Sequence, residues 1–146
     1  MYFYLPLIAF LLLDQIVKYW IRTNMEPGQS IPVISGIFHI TYIENPGAAF
    51  GILANQRILF LLLTAVIVGI MFYLYLSLQN KQSLAACSLG LVISGAAGNF
   101  IDRFTNGTVT DMFDIQIWPV FNIADICICA GIALLCYVFI FKGEEL

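Results

Sequence analysis

Two aspartates in the second half of the chain stand where acid–base chemistry is possible: Asp111 in Gly107-Thr-Val-Thr-Asp111 and Asp125 in Phe121-Asn-Ile-Ala-Asp125. Both fall at the edge of hydrophobic stretches, where an ionisable group is costly and by default marks function or pairs with another. Two carboxylates brought close together cannot both ionise cheaply, so they share a proton. One then draws a proton from water, and the other hydrogen-bonds the carbonyl under attack. This is the arrangement of aspartic proteases, and it needs neither a metal nor a covalent intermediate. A blander reading stands beside it. Asn122 reads as a helix N-cap and Asp125 as the N3 acid of a capping-box-like start, while Asp111 reads as a turn acid. The helix N-terminus would favour the ionised form at Asp125, making it the more acidic of the two.

Three further clusters accompany the pair. Asp14 and Lys18 are four residues apart in the favourable acid-first order, which suits a structural ion pair on one helix face. Asn99 and Arg103, in Gly98-Asn-Phe-Ile-Asp-Arg103, share the same spacing. Arg103 could position a substrate or hold a neighbouring acid through its forked guanidinium. Asn45-Pro-Gly-Ala-Ala-Phe-Gly51 reads as a turn before a close-packed helix, and its small residues would also let an extended peptide lie against the backbone. The four cysteines, Cys87, Cys127, Cys129 and Cys136, lie in apolar stretches at neither metal nor disulfide spacings and read as packing residues.

The elements that must position these groups are hydrophobic. Apolar residues make up 61% of the 146-residue chain and charged residues 10%, against about 45–50% and about 25% in soluble domains. Four stretches are long enough to span a bilayer: about 2–21, 58–78, 84–101 and 123–141. The second carries no charge, and the third is rich in small residues that let helices approach closely. Runs of this length without period-two alternation exclude a barrel. The expectation is an all-α membrane protein, one domain over 1–146, with four transmembrane helices. The start of the chain reads as a retained anchor rather than a removed signal peptide.

Four spans place both termini on one side and two longer segments, about 23–57 and 102–122, on the other. Seven of the nine acids map to that second face: Asp14, Glu26, Glu44, Asp102, Asp111, Asp114 and Asp125. Alternation in Phe38-His-Ile-Thr-Tyr42 and Phe113-Asp-Ile-Gln-Ile117 predicts short strands, with Pro27-Gly28, Pro32 and Asn45-Pro46-Gly47 as turns. A small β platform on the membrane follows, with Tyr19, Trp20 and Trp118 near the same interface. Counting basic residues would place this face inside, because Lys18, Arg22, Arg57 and Arg103 lie near it and only Lys81 and Lys142 near the other. Scattered basic residues and a net charge of −3 offer no tract for nucleic acid.

Five motifs in order, Asp14-Gln-Ile-Val-Lys18, Asn45–Gly51, Gly98–Arg103, Gly107–Asp111 and Phe121–Asp125, interleaved with four hydrophobic spans, make the chain resemble the bacterial lipoprotein signal peptidases (signal peptidase II) over essentially its whole length. The resemblance implies a four-helix membrane domain with an extracytoplasmic β platform. It implies cleavage of signal peptides from prolipoproteins, just before a cysteine carrying diacylglycerol. Asp111 and Asp125 would be the catalytic dyad. Asn45, Gly47, Asn99, Arg103 and Asn122 would line the site, with Asp14 and Lys18 supporting it, and no metal or cofactor. The implied setting is the bacterial inner membrane, multi-pass, with cytoplasmic termini and an outward active face, which overrules the basic-residue count. The expected partners are the diacylglyceryl-prolipoprotein and membrane lipid, with no nucleic acid, and the expected state is a monomer. Met112 stands where many relatives carry Phe, and the segment between the aspartates is short. Two rivals remain. A small proton- or ion-coupled transporter would use Asp14, Lys18, Asp111 and Asp125 as a relay. A non-catalytic assembly factor would need the aspartates only for stability.

Overall fold

The computed structural model describes residues 1–47, 55–81 and 83–142. In chain order the elements are α1 (Tyr4–Asn24), β1 (Ser30–Ile34), β2 (Phe38–Asn45), α2 (Arg57–Ser77), α3 (Leu84–Asn106), β3 (Val109–Asp114) and α4 (Ile123–Tyr137), which runs on through a π-helical turn, Val138–Lys142. All four helices, the fourth counted through Lys142, are long and apolar enough to cross a membrane. Ile58, Leu62, Val66, Ile70 and Tyr73 on α2 are exposed. Such a surface would be untenable in water and is what lipid solvates.

α3 is the axle of the bundle and packs against α1, α2 and α4. Its glycines permit this. A Cβ on Gly95 would collide with the Ala124 carbonyl oxygen of α4, and one on Gly98 would meet Asp14 Oδ2 of α1 at 2.5 Å. Small residues at such crossings let the backbones themselves touch. The buried hydroxyls Ser88 and Ser94 are not orphaned, since they donate to Leu84 O and Leu91 O within the helix. At the end of the bundle where α1 starts, Phe3 stacks on Tyr75 with centroids 3.7 Å apart, among Leu89, Ile93 and Val138. The other end carries an antiparallel sheet of order β1-β2-β3. Its underside, Tyr42 and Met112, packs with Ile21 of α1 and with Met25, the residue that follows that helix.

Three boundaries depart from expectation. α3 does not stop near Ile101 but continues to Asn106, where Gly107 turns left-handed (φ 84°) and donates to Arg103 O at 3.2 Å. Asp102 and Arg103 are therefore helical rather than part of the outer segment, because Asp102 finds buried partners there. The last strand lies at Val109–Asp114, upstream of the Phe113–Ile117 alternation: β-branched Val109 and Thr110 pair with β2, and the chain then turns through Gln116 (φ 65°). Ser30–Ile34 forms a third strand despite Pro32, which is tolerated because β1 is an edge strand. Residues 48–51 of the Asn45–Gly51 motif lie outside the described residues.

Candidate active site

Asp125 is fixed by the start of α4. Asn122 Oδ1 accepts the Asp125 N–H at 2.9 Å, and Asp125 Oδ2 accepts the Asn122 N–H at 3.2 Å, a reciprocal capping box. A second orphan donor of that first turn, the Ala124 N–H, is satisfied from another helix by Asp14 Oδ1 at 2.9 Å. The cap thus exists, but it uses only one oxygen of Asp125. The other, Oδ1, accepts Asn99 Nδ2 at 2.8 Å.

Asp111 comes from β3. Ile43 pairs with Asp111 and Asn45 with Val109, so Asn45 and Asp111 are diagonal neighbours on one face of the sheet. Asn45 Nδ2 donates to Asp111 Oδ2 at 2.9 Å, and Asn122 Nδ2 donates to Asp111 Oδ1 at 2.6 Å. Asn122 therefore links the two acids: its carbonyl caps the turn that carries Asp125, and its amide holds Asp111. The same amide donates to Asn99 Oδ1 at 3.2 Å. Asn99 Oδ1 also accepts Lys18 Nζ at 3.0 Å. An ammonium can only donate, so Asn99 must present its NH₂ to Asp125.

Lys18 is fully buried and meets Asp14 Oδ2 at 2.9 Å, Asp102 Oδ2 at 3.0 Å and Asn99 Oδ1. Three donors find three acceptors, the condition for burying an ammonium. Asp102, itself 1% exposed, also accepts Arg22 Nη1 at 3.2 Å and the Thr110 N–H of β3 at 3.1 Å. The network ties α1, α3, β3 and the first turn of α4 into one frame around the acids.

Asp111 and Asp125 line a cavity of about 320 Å³ together with Asn45, Gly47, Asn99 and Arg103, with Trp118 and Phe121 on its apolar side. Arg103 makes no hydrogen bond to either acid. Its Nη2 donates to Gly47 O at 2.8 Å, and its guanidinium lies 4.6 Å from the Phe60 ring centroid. It clasps the backbone after Asn45 against α2 and α3. Burial pushes the Asp111 carboxyl up to about 7, with the charge of Asp125 adding to the rise and the amides of Asn45 and Asn122 opposing it. A carboxyl that keeps its proton near neutrality beside a second acid suits acid–base hydrolysis.

The structure brings together all nine residues singled out from the sequence, with Asp111, Asp125, Asn45, Gly47, Asn99 and Arg103 on the cavity and Asn122, Asp14 and Lys18 behind it. Asp102, Arg22 and Thr110 were missed. Arg22 follows Lys18 by four residues and Asp102 follows Asn99 by three, so helical spacing already placed both on the site-facing stripes. Trp118 was expected only as an interface aromatic and Phe121 only as the start of the Phe121–Asp125 motif; neither was read as a wall of the cavity.

The chain matches the family model described as signal peptidase (SPase) II over residues 7–141. It is 44% identical to the lipoprotein signal peptidase of Moorella thermoacetica, with 98% of this chain and 95% of that protein covered. It is 44% identical to the lipoprotein signal peptidase of Bacillus subtilis, with 92% and 90% covered. A solved bacterial membrane enzyme superposes with a TM-score of 0.88 at 33% identity, covering 97% of this chain and 88% of the other.

Proposed function

The chain belongs to the signal peptidase II family, and from that premise we propose that it removes the signal peptide from diacylglyceryl-modified prolipoproteins, with Asp111 and Asp125 as the reacting pair. The observation that carries this reading is the amide bridge: Asn122 holds Asp111 while capping the turn that presents Asp125. Such a bridge fixes two carboxyls at one cavity wall in a way that a cap and a turn acid do not need. The transporter reading finds no support among the relatives, which are named peptidases.

The division of labour follows from the surroundings. Asp111 holds a proton to about pH 7. Asp125, which lines the same cavity from the first turn of α4, takes the part of the base. Water placed between them gives a proton to Asp125 while its oxygen attacks the carbonyl carbon before the lipidated cysteine. Asp111 gives its proton to the carbonyl oxygen. The tetrahedral intermediate collapses as its hydroxyl returns a proton to Asp111. The proton on Asp125 goes to the departing cysteine nitrogen. The peptide leaves with a carboxyl end, the lipoprotein keeps a free amine, and the pair is restored. Asn45, Asn99 and Asn122 orient the dyad, Arg103 holds the Gly47 backbone as a wall for the peptide, and Asp14 and Lys18 anchor the frame. The lipid anchor delivers the bond at a fixed depth, so side-chain selectivity can be modest.

The reading places the protein as a monomer in the bacterial inner membrane, termini in the cytoplasm and sheet outward, with substrate entering from the lipid. The test is cleavage of a diacylglyceryl-prolipoprotein by the purified protein in lipid, with products read by mass spectrometry. The expected cut is immediately before the lipidated cysteine and is unaffected by a chelator. A cut elsewhere, no cut, or strong inhibition by the chelator would overturn it.

A further inference from the structure

Two apolar grooves open on the sides of the bundle. One, of about 440 Å³, lies between α2 and α3 and is lined by Thr64, Val68, Gly69, Phe72, Ala97 and Phe100. The other, of about 360 Å³, runs along α4 under the Trp118 loop and is lined by Trp118, Phe121, Asp125, Ile126, Cys129 and Ala130. They differ in one respect. The α2–α3 groove shares no lining residue with the dyad cavity. The α4 groove shares Trp118, Phe121, Asp125 and Cys129 with it.

Ile126 and Ala130 are four residues apart on α4 and both exposed, so they form one lipid-facing strip running from Asp125 toward the middle of the span. Apart from the Asp125 carboxyl, the Cys129 thiol and the Trp118 indole N–H, the lining side chains are hydrocarbon. It begins at Asp125 and ends in the part of α4 where Ile126 and Ala130 are exposed. An extended acyl chain attached close to the scissile bond can leave the cavity along this path.

Resting on the proposed function, we propose that the α4 groove seats one acyl chain of the substrate's diacylglyceryl group, and that Ile126 and Ala130 set which chains fit. The groove does not act by adding affinity. The chain already lies in hydrocarbon, and lipid tails are as apolar as the groove walls, so little free energy is gained on transfer. It acts by alignment: a chain lying along α4 fixes the glyceryl carbon, and with it the scissile carbonyl, relative to Asp111 and Asp125. Misplacement by about 1 Å can cost roughly hundredfold in rate.

The experiment compares kcat/KM for two diacylglyceryl-prolipopeptides of identical sequence, one with long and one with short acyl chains, in the same bilayer. Ala130→Trp fills the groove at an exposed position. Gly69→Leu fills the α2–α3 groove, where no atom lies within 4 Å of an added Cβ. Ala130→Trp is expected to lower the long-chain to short-chain ratio about tenfold, a fraction of the misalignment penalty, while Gly69→Leu leaves it unchanged. An unchanged ratio in Ala130→Trp overturns the inference, including the case where both substrates slow equally, which would put the signal peptide rather than the lipid in the groove. A ratio lowered by Gly69→Leu alone would assign the chain to the other side. If the unaltered protein cleaves neither substrate, the proposed function fails, and that result is distinct from all of these.

Discussion

Asp111 keeps its proton near neutrality because it is almost wholly buried on a strand that faces a second acid, and the two amides that touch it only partly offset that cost. The consequence for pH has a definite sign. The carboxyl is raised from 3.8 to about 7 on folding, so the folded state binds this proton more tightly than the unfolded one. The stability it contributes is present at low pH and lost as pH rises from about 4 to about 7. The rate should follow the same proton. kcat is expected to fall as pH passes about 7, because a doubly ionised pair cannot supply the acid. Asn45→Ala removes a donor that favours the ionised form of Asp111, so the falling limb should move to higher pH. A pH profile of both proteins checks this, and a limb that stays put or moves lower would contradict it. The acids and amides were legible in the sequence as types and spacings. Which amide touches which oxygen was not, since Asn45, Asn99 and Asn122 meet only once sheet and helices converge.

Elements are held in register by close backbone contacts and one buried charge network. Gly95→Ala would press a methyl group into the Ala124 carbonyl at the start of α4, which cannot swing aside. A loss of about 1–3 kcal/mol is expected, the usual cost of overpacking, read as a lower unfolding midpoint in detergent. Asp102→Ala should cost more, about 3–5 kcal/mol, because it leaves the buried Lys18 ammonium short of an acceptor and frees the Thr110 N–H. An unchanged midpoint in either variant would show that the contact is not structural. Hydropathy revealed the four helices, and Asn122 with Asp125 announced the start of α4 correctly. The end of α3 and the position of β3 were hidden, because both depend on Asp102 and on pairing with β2, partners that no local window contains. β1 was hidden by Pro32, which an edge position excuses.

At the scale of the whole molecule, apolar helix surfaces surround a polar core confined to one end. That explains why counting basic residues points the wrong way for the proposed orientation. Lys18, Arg22, Arg57 and Arg103 each engage internal acceptors: Asp14 and Asp102, Asp102 and Thr110, the Phe104 carbonyl and the Gly47 carbonyl. Lys18, Arg22 and Arg103 belong to the site and its frame, and Arg57 ties the start of α2 to the end of α3. With the native cysteines replaced, Glu26→Cys near the sheet should react with a membrane-impermeant maleimide in intact cells, and Gln79→Cys only after permeabilisation. The opposite pattern would reverse the orientation.

The central claim is that Asp111 and Asp125 together activate water, and the most direct measurement is single-turnover cleavage of a diacylglyceryl-prolipoprotein by Asp111→Asn and Asp125→Asn, each alone, in purified lipid-embedded protein. Asparagine keeps the shape and much of the hydrogen bonding while removing the shared proton chemistry. Each variant is expected to fold and to lose at least about a hundredfold in rate, within the range for removal of a general acid or base. Near-normal cleavage by either variant would contradict the account.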